Sequence, residues 1–176
     1  MQEAEVILRV ALYHILNGLT RETVTASIDG AHIKTREQIH FDIWAFLQQN
    51  GCIKTDNDYQ RWQGEYEVTG YQPHIIITSQ SGIGDVNLRL ADGSNLYVEC
   101  KKGKPGKSGQ EYPLMREAIG QLMTGCELTD NMIPVVAVPY SEKSFELAGR
   151  WQQYSQIKQV GIRFYLVKDD GTIVIV

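Results

Sequence analysis

The sequence predicts an α/β domain in which a central mixed β-sheet is flanked by helices. Three observations predict it. Apolar residues recur at helical spacing over 3–17, 35–50, 113–125 and 143–159. Short apolar runs at 74–78 and 133–138 have the length and composition of buried strands. Between them, residues 85–91 and 94–101 alternate apolar and polar side chains on either side of Asp92-Gly93, the pattern of a hairpin. A chain of 176 residues with 43% hydrophobic residues can bury one proper core, so a single domain over 1–176 is expected.

In order along the chain, Ala4, Leu8, Ala11, Leu12, Ile15 and Leu19 fall at helical spacing, predicting a first helix that Asn17-Gly18 ends. Glu3, Glu5 and Arg9 lie within this apolar stretch, which argues against a signal peptide. Residues 24–28 read as a short strand before the turn Asp29-Gly30. Thr35 and Gln38 fit a capping box, predicting a second helix from Thr35 to about Asn50, stopped by Gly51. Its apolar residues form two stripes, Ile39, Ile43 and Phe46 on one side and Phe41 and Trp44 on the other, so burial on two sides is expected. Residues 52–73 are polar and aromatic, with a strand at 65–69 and with Tyr59, Trp62, Tyr66 and Tyr71 expected to cover a core edge, stacking on bases being the alternative for any left exposed. After the central hairpin, a helix over 113–125 turns Leu114, Ala118, Ile119 and Leu122 inward. A helix over 143–159 buries Leu147, Trp151 and Tyr154, and 162–167 with 172–176 closes the fold as a hairpin through Asp169-Asp170-Gly171.

Several function classes drop out. No run of eighteen apolar residues occurs, so no membrane span is expected. Cys52, Cys100 and Cys126 are far apart and odd in number, which favours neither a disulfide framework nor a zinc ribbon and points to a reducing cytoplasm. Gly82-x-Gly84 lacks the third glycine of a dinucleotide fingerprint, and Gly106-Lys107-Ser108 lacks the first glycine of a P-loop, because that place is Lys101. The histidines show no ligand spacing. Net charge is −4, so any nucleic-acid contact must rest on a local basic patch.

The chemistry concentrates in the hairpin. Asp85 opens its first strand, and Glu99 and Lys101 close its second on one face, since successive strand residues alternate. A two-residue loop at Asp92-Gly93 would put Asp85 opposite Cys100, on the wrong face. A three-residue loop or a bulge restores it to the face of Glu99, and Gly93 suits the left-handed position of such a loop.

Asp85 followed by Glu99-x-Lys101 resembles the PD-(D/E)xK nuclease superfamily, the restriction-endonuclease-like fold that includes Holliday junction resolvases and RecB-type nucleases. Gly84 stands where the family name has proline. The helix after the hairpin, with Glu117-Ala118-Ile119-Gly120-Gln121-Leu122, is similar to the one that follows the motif in many members. Gly125 departs from the RecB-type signature, which has tyrosine four residues after the glutamine. The resemblance covers about 35–140 and implies a restriction-endonuclease-like core with an added N-terminal helix and C-terminal hairpin.

It further implies Mg²⁺ or Mn²⁺ held by Asp85, Glu99 and the backbone carbonyl of Cys100. Lys101 would orient the attacking water or stabilise developing charge, and Gln121 would support the site or touch substrate. In the family the helix before the sheet often supplies a glutamate, a role that Glu37 would fill; on position alone Glu37 is a helix-dipole residue in a first turn. Lys102, Lys104 and Lys107 would contact phosphates, or else form a solvated loop. The expected activity is hydrolysis of DNA phosphodiester bonds, with DNA as partner and a homodimer where two strands are cut. A non-catalytic nucleic-acid-binding or assembly module of the same fold is the alternative.

Overall fold

The structure is a computed structural model that describes residues 1–82, 84–103, 109–125 and 127–176. Its helices are α1 (Glu3–Leu16), α2 (Ile43–Gln49), α3 (Glu111–Gly125), α4 (Glu142–Trp151) and α5 (Ser155–Val160). Its strands are β1 (Val24–Ser27), β2 (Lys34–Thr35), β3 (Gln38–Ile39), β4 (Cys52–Lys54), β5 (Gly64–Val68), β6 (His74–Thr78), β7 (Val86–Arg89), β8 (Asn95–Cys100), β9 (Met132–Pro139), β10 (Arg163–Val167) and β11 (Ile173–Ile175). All strands except β2 and β3 join one nine-stranded mixed sheet in the order β11-β10-β9-β8-β7-β1-β6-β5-β4. The expected α/β architecture, a large mixed sheet flanked by helices, is what the chain forms.

Strand alternation divides the core into two layers. Val24 and Ala26, Val86 and Leu88, Val98 and Cys100, and Val135 and Ala137 point to the face covered by α1 and α2. Tyr97, Val136, Val138, Phe164 and Leu166 point to the opposite face, beneath Met115, Ala118 and Leu122 of α3 and Leu147 and Trp151 of α4. β8 and β9 run parallel, with α3 as the crossover between them, whereas β7 is antiparallel to both of its neighbours β1 and β8. The hairpin β7–β8 thus lies in the middle of the sheet, where register is held from both sides.

Three expectations are corrected. The N-terminal helix is no addition: α1 packs across β1, β7, β8, β9 and β10, and Ala4, Leu8, Val10 and Ala11 are fully enclosed. A helix apolar nearly all round belongs in a core. The second helix begins at Ile43, not Thr35; its cap is Asp42, whose Oδ1 accepts the N–H of Ala45 at 3.0 Å. Thr35 and Gln38 instead pair across β2–β3, with Arg36 at φ 53°, so Ile39 is exposed and leaves the expected stripe. The helix expected over 143–159 is broken into α4 and α5, and Tyr154, in extended conformation between them, faces outward. Among the described residues no helix is long and apolar enough to cross a membrane.

Because α1 is part of the core, truncating its centre costs what a core cavity costs. Leu8→Ala is expected to lower unfolding free energy by about 2–5 kcal/mol in urea titration. A loss below about 1 kcal/mol would return α1 to the status of a peripheral helix.

Candidate active site

The hairpin register runs Val86↔Val98, Asn87↔Tyr97, Leu88↔Leu96 and Arg89↔Asn95. Leu90 N–H donates to the Ser94 carbonyl, which leaves the three-residue loop Ala91-Asp92-Gly93 with Gly93 at φ 90°. Asp92 braces the loop by accepting the N–H and hydroxyl of Ser94 at 2.9 and 2.6 Å. The odd loop anticipated from the sequence is therefore present. At the other end, the Val98 carbonyl, opposite Val86, also accepts the N–H of Asp85. This step in the ladder resembles a bulge and turns the Asp85 carboxylate onto the N–H of Cys100, which it accepts at 2.6 Å.

Asp85 and Glu99 line one cleft of about 380 Å³. Its walls are the Ser79–Gly82 segment on one side and Gln121, Thr124 and Gly125 of α3 on the other. Tyr97, two residues before Glu99 and on the same strand face, forms part of its lining. Burial pushes the Asp85 carboxyl up to about 7, helped by the negative charge of Glu99 and opposed by the Cys100 N–H. Burial also raises Glu99, against Lys101 and a hydrogen bond from the Tyr97 hydroxyl. The Cys100 thiol is fully enclosed and shifted upward by burial and then by Asp85, so it is a packing group and only its backbone faces this chemistry.

Lys101 is buried at the end of β8, between two helices. Its ammonium lies 3.7 Å from Glu3 Oε1 at the start of α1 and 3.5 Å from Glu117 Oε1 on α3. Glu3 is itself enclosed: Oε1 is 3.1 Å from His32 Nε2, and Oε2 accepts the Lys102 N–H at 3.3 Å. Burial would raise the Glu3 carboxyl, but His32, Lys101 and the Lys102 N–H outweigh it and hold it below its ordinary value. His32 is raised in turn, chiefly by its hydrogen bond to Glu3.

The structure thus gathers Asp85, Glu99 and Gln121 on one cleft and sets Lys101 two residues beyond Glu99, just past β8, with its ammonium between Glu3 and Glu117. Glu37 is not on a helix; it is exposed in the turn between β2 and β3. Lys102 is half-buried beside Glu3, while Lys104 and Lys107 lie outside the described residues. Glu3, His32 and Tyr97 were missed as site residues. Glu3 offered only the signal of an acidic first turn; the others offered none. Among the described residues no three His, Cys, Asp or Glu side chains form a metal cluster by themselves. No protein-family model, curated protein or solved structure matches the chain.

The raised Asp85 carboxyl fixes a sign for stability. Its folded value lies above its unfolded one, so the native state holds the extra proton, and stability falls as pH rises from about 4 to about 7. Asp85→Asn keeps an acceptor for Cys100 and removes the charge. In EDTA the variant is expected to exceed wild type by roughly 1–3 kcal/mol at pH 8, and by less at pH 5, in urea titrations. Equal stability at pH 8 would contradict the burial of an uncompensated carboxylate.

Proposed function

We propose that this chain is a divalent-metal-dependent nuclease of the PD-(D/E)xK type that hydrolyses DNA phosphodiester bonds. The observation that carries the reading is the meeting of Asp85 and Glu99 on one cleft, with Lys101 two residues further on and near enough for its charge to act on both acids. The order of elements supports it. Helix α1, strand β1, hairpin β7–β8, helix α3 and strand β9 follow one another, with the strands adjacent in the sheet as β1-β7-β8-β9. On this view residues 28–80 are an insertion within a restriction-endonuclease-like core that begins at α1 instead of residue 35. Glu3, on the helix before the sheet, then takes the place expected of Glu37.

The donor set fits a hard cation. Two carboxylates, both raised by burial and Asp85 also by the charge of Glu99, face one cleft, and Mg²⁺ characteristically uses one or two carboxylates plus waters and substrate phosphate. Asp85, Glu99 and the Cys100 carbonyl would hold Mg²⁺ or Mn²⁺. When bound, such an ion neutralises charge on the phosphate and acidifies a coordinated water. Lys101 contributes donors for the attacking water or a phosphate oxygen, and its two carboxylate neighbours fix where its ammonium sits. Gln121, exposed on the cleft wall, offers an amide to substrate. Lys102, half-buried beside Glu3, supplies positive charge next to Lys101. The free, buried Cys52 and Cys100 suit a reducing cytoplasm.

Incubation of supercoiled plasmid with Mg²⁺, Mn²⁺ or EDTA tests this directly. Wild type is expected to nick or linearise DNA only with metal. Lys101→Ala is expected to lose about 10²–10³-fold in rate, the usual loss when one electrostatic donor is removed, and Asp85→Ala at least as much. If plasmid, branched DNA, single strands and RNA all stayed intact and Mn²⁺ did not bind, the protein would instead be a non-catalytic module of this fold.

A further inference from the structure

Resting on the nuclease reading, we infer that Tyr97 is a positioning residue for Glu99, held by two glycines that exist to make room for it. Tyr97 is only 3% exposed, beneath Met115, Ala118 and Leu122 of α3, yet it also borders the cleft. Its hydroxyl and Glu99 Oε1 lie within 4 Å of one point at the end of α3, and the phenol acts to lower the Glu99 carboxyl against the effect of burial. A phenol O–H bound to one carboxylate oxygen leaves the remaining lone pairs directed at the cleft and removes a rotational freedom that a bare glutamate would keep.

The glycines bracket the ring. A Cβ at Gly84 would lie 2.6 Å from Tyr97 Cζ and 2.8 Å from Cε2, closer than any real contact. Gly84 is also at φ 74°, so its identity has a backbone cause as well. Gly125 has no such cause. It is the last residue of α3 and its φ is not in the left-handed region, so its backbone would accept alanine. What a Cβ at Gly125 would meet is the Tyr97 hydroxyl at 3.2 Å and Glu99 Oε1 at 3.8 Å. A residue without a side chain therefore sits where a methyl group would press on the Tyr97 hydroxyl and touch Glu99.

The test compares wild type, Asp85→Ala, Tyr97→Phe and Gly125→Ala by plasmid cleavage kinetics, Mn²⁺ affinity and melting temperature. Tyr97→Phe keeps the ring and loses the hydroxyl. It is expected to lose about 10–100-fold in kcat or Mn²⁺ affinity, with KM for DNA and melting temperature nearly unchanged. Gly125→Ala is expected to lose activity in the same direction while melting no lower than wild type. Tyr97→Phe equal to wild type in kcat and Mn²⁺ affinity would overturn the inference and leave the nuclease standing. So would an activity loss that merely tracked a fall in melting temperature. Wild type that neither cuts DNA nor binds Mn²⁺ would overturn both, and the wild-type lane separates that failure from the others.

Discussion

The register of β7 against β8 is the constraint on which this structure turns. Side chains alternate with period two, so one residue more or fewer in the connecting loop exchanges the two faces of a strand. Asp92 accepts two hydrogen bonds from Ser94, and Gly93 takes the left-handed conformation that the loop needs. With that loop in place, Val98 and Cys100 go to the α1 layer and Tyr97 and Glu99 to the α3 layer. The pairing is then locked from both sides, by β1 along β7 and by β9 along β8. A carboxylate pair that repels itself is kept together by backbone ladders that cannot slip without dismantling the core.

Charge around the pair is arranged in two tiers. On the cleft, Asp85 and Glu99 have their acidity weakened by burial, and Asp85 further by the charge of Glu99. Behind them, Glu3 is surrounded by His32, Lys101 and the Lys102 N–H, and remains readily ionised. The two groups of carboxylates therefore differ in what they want. Glu3 already has its cations, whereas the hairpin pair has only the partial compensation of Lys101 and backbone and phenol donors.

Much of this was legible in the residues. The hairpin was, because its alternation and its Asp-Gly turn are local; so were α1, β6, α3, β9 and the closing hairpin, whose periodicities are clean. The start of α2 was not, because Thr35 and Gln38 satisfy a capping pattern that a left-handed Arg36 converts into a turn, and nothing in the residue type announces an arginine at φ 53°. The break between α4 and α5 was hidden by continuous amphipathic spacing. Glu3 was hidden for another reason: its partners His32, Lys101 and Lys102 are distant in sequence, and only the fold brings them to it. Tyr97 reads as an ordinary strand aromatic until the two glycines beside it are seen together.

That last separation has a consequence for how the molecule comes into being. The contact between Glu3 and the Lys102 N–H spans 99 positions, and that between the Thr20 hydroxyl and the Arg89 carbonyl spans 69. A sheet whose middle strands come from such distant parts of the chain must close large loops before its pairings repay them, which places it among slow-folding topologies. During synthesis α1 emerges before the strands it covers. Its apolar surface waits, exposed, for strands that the ribosome has yet to deliver.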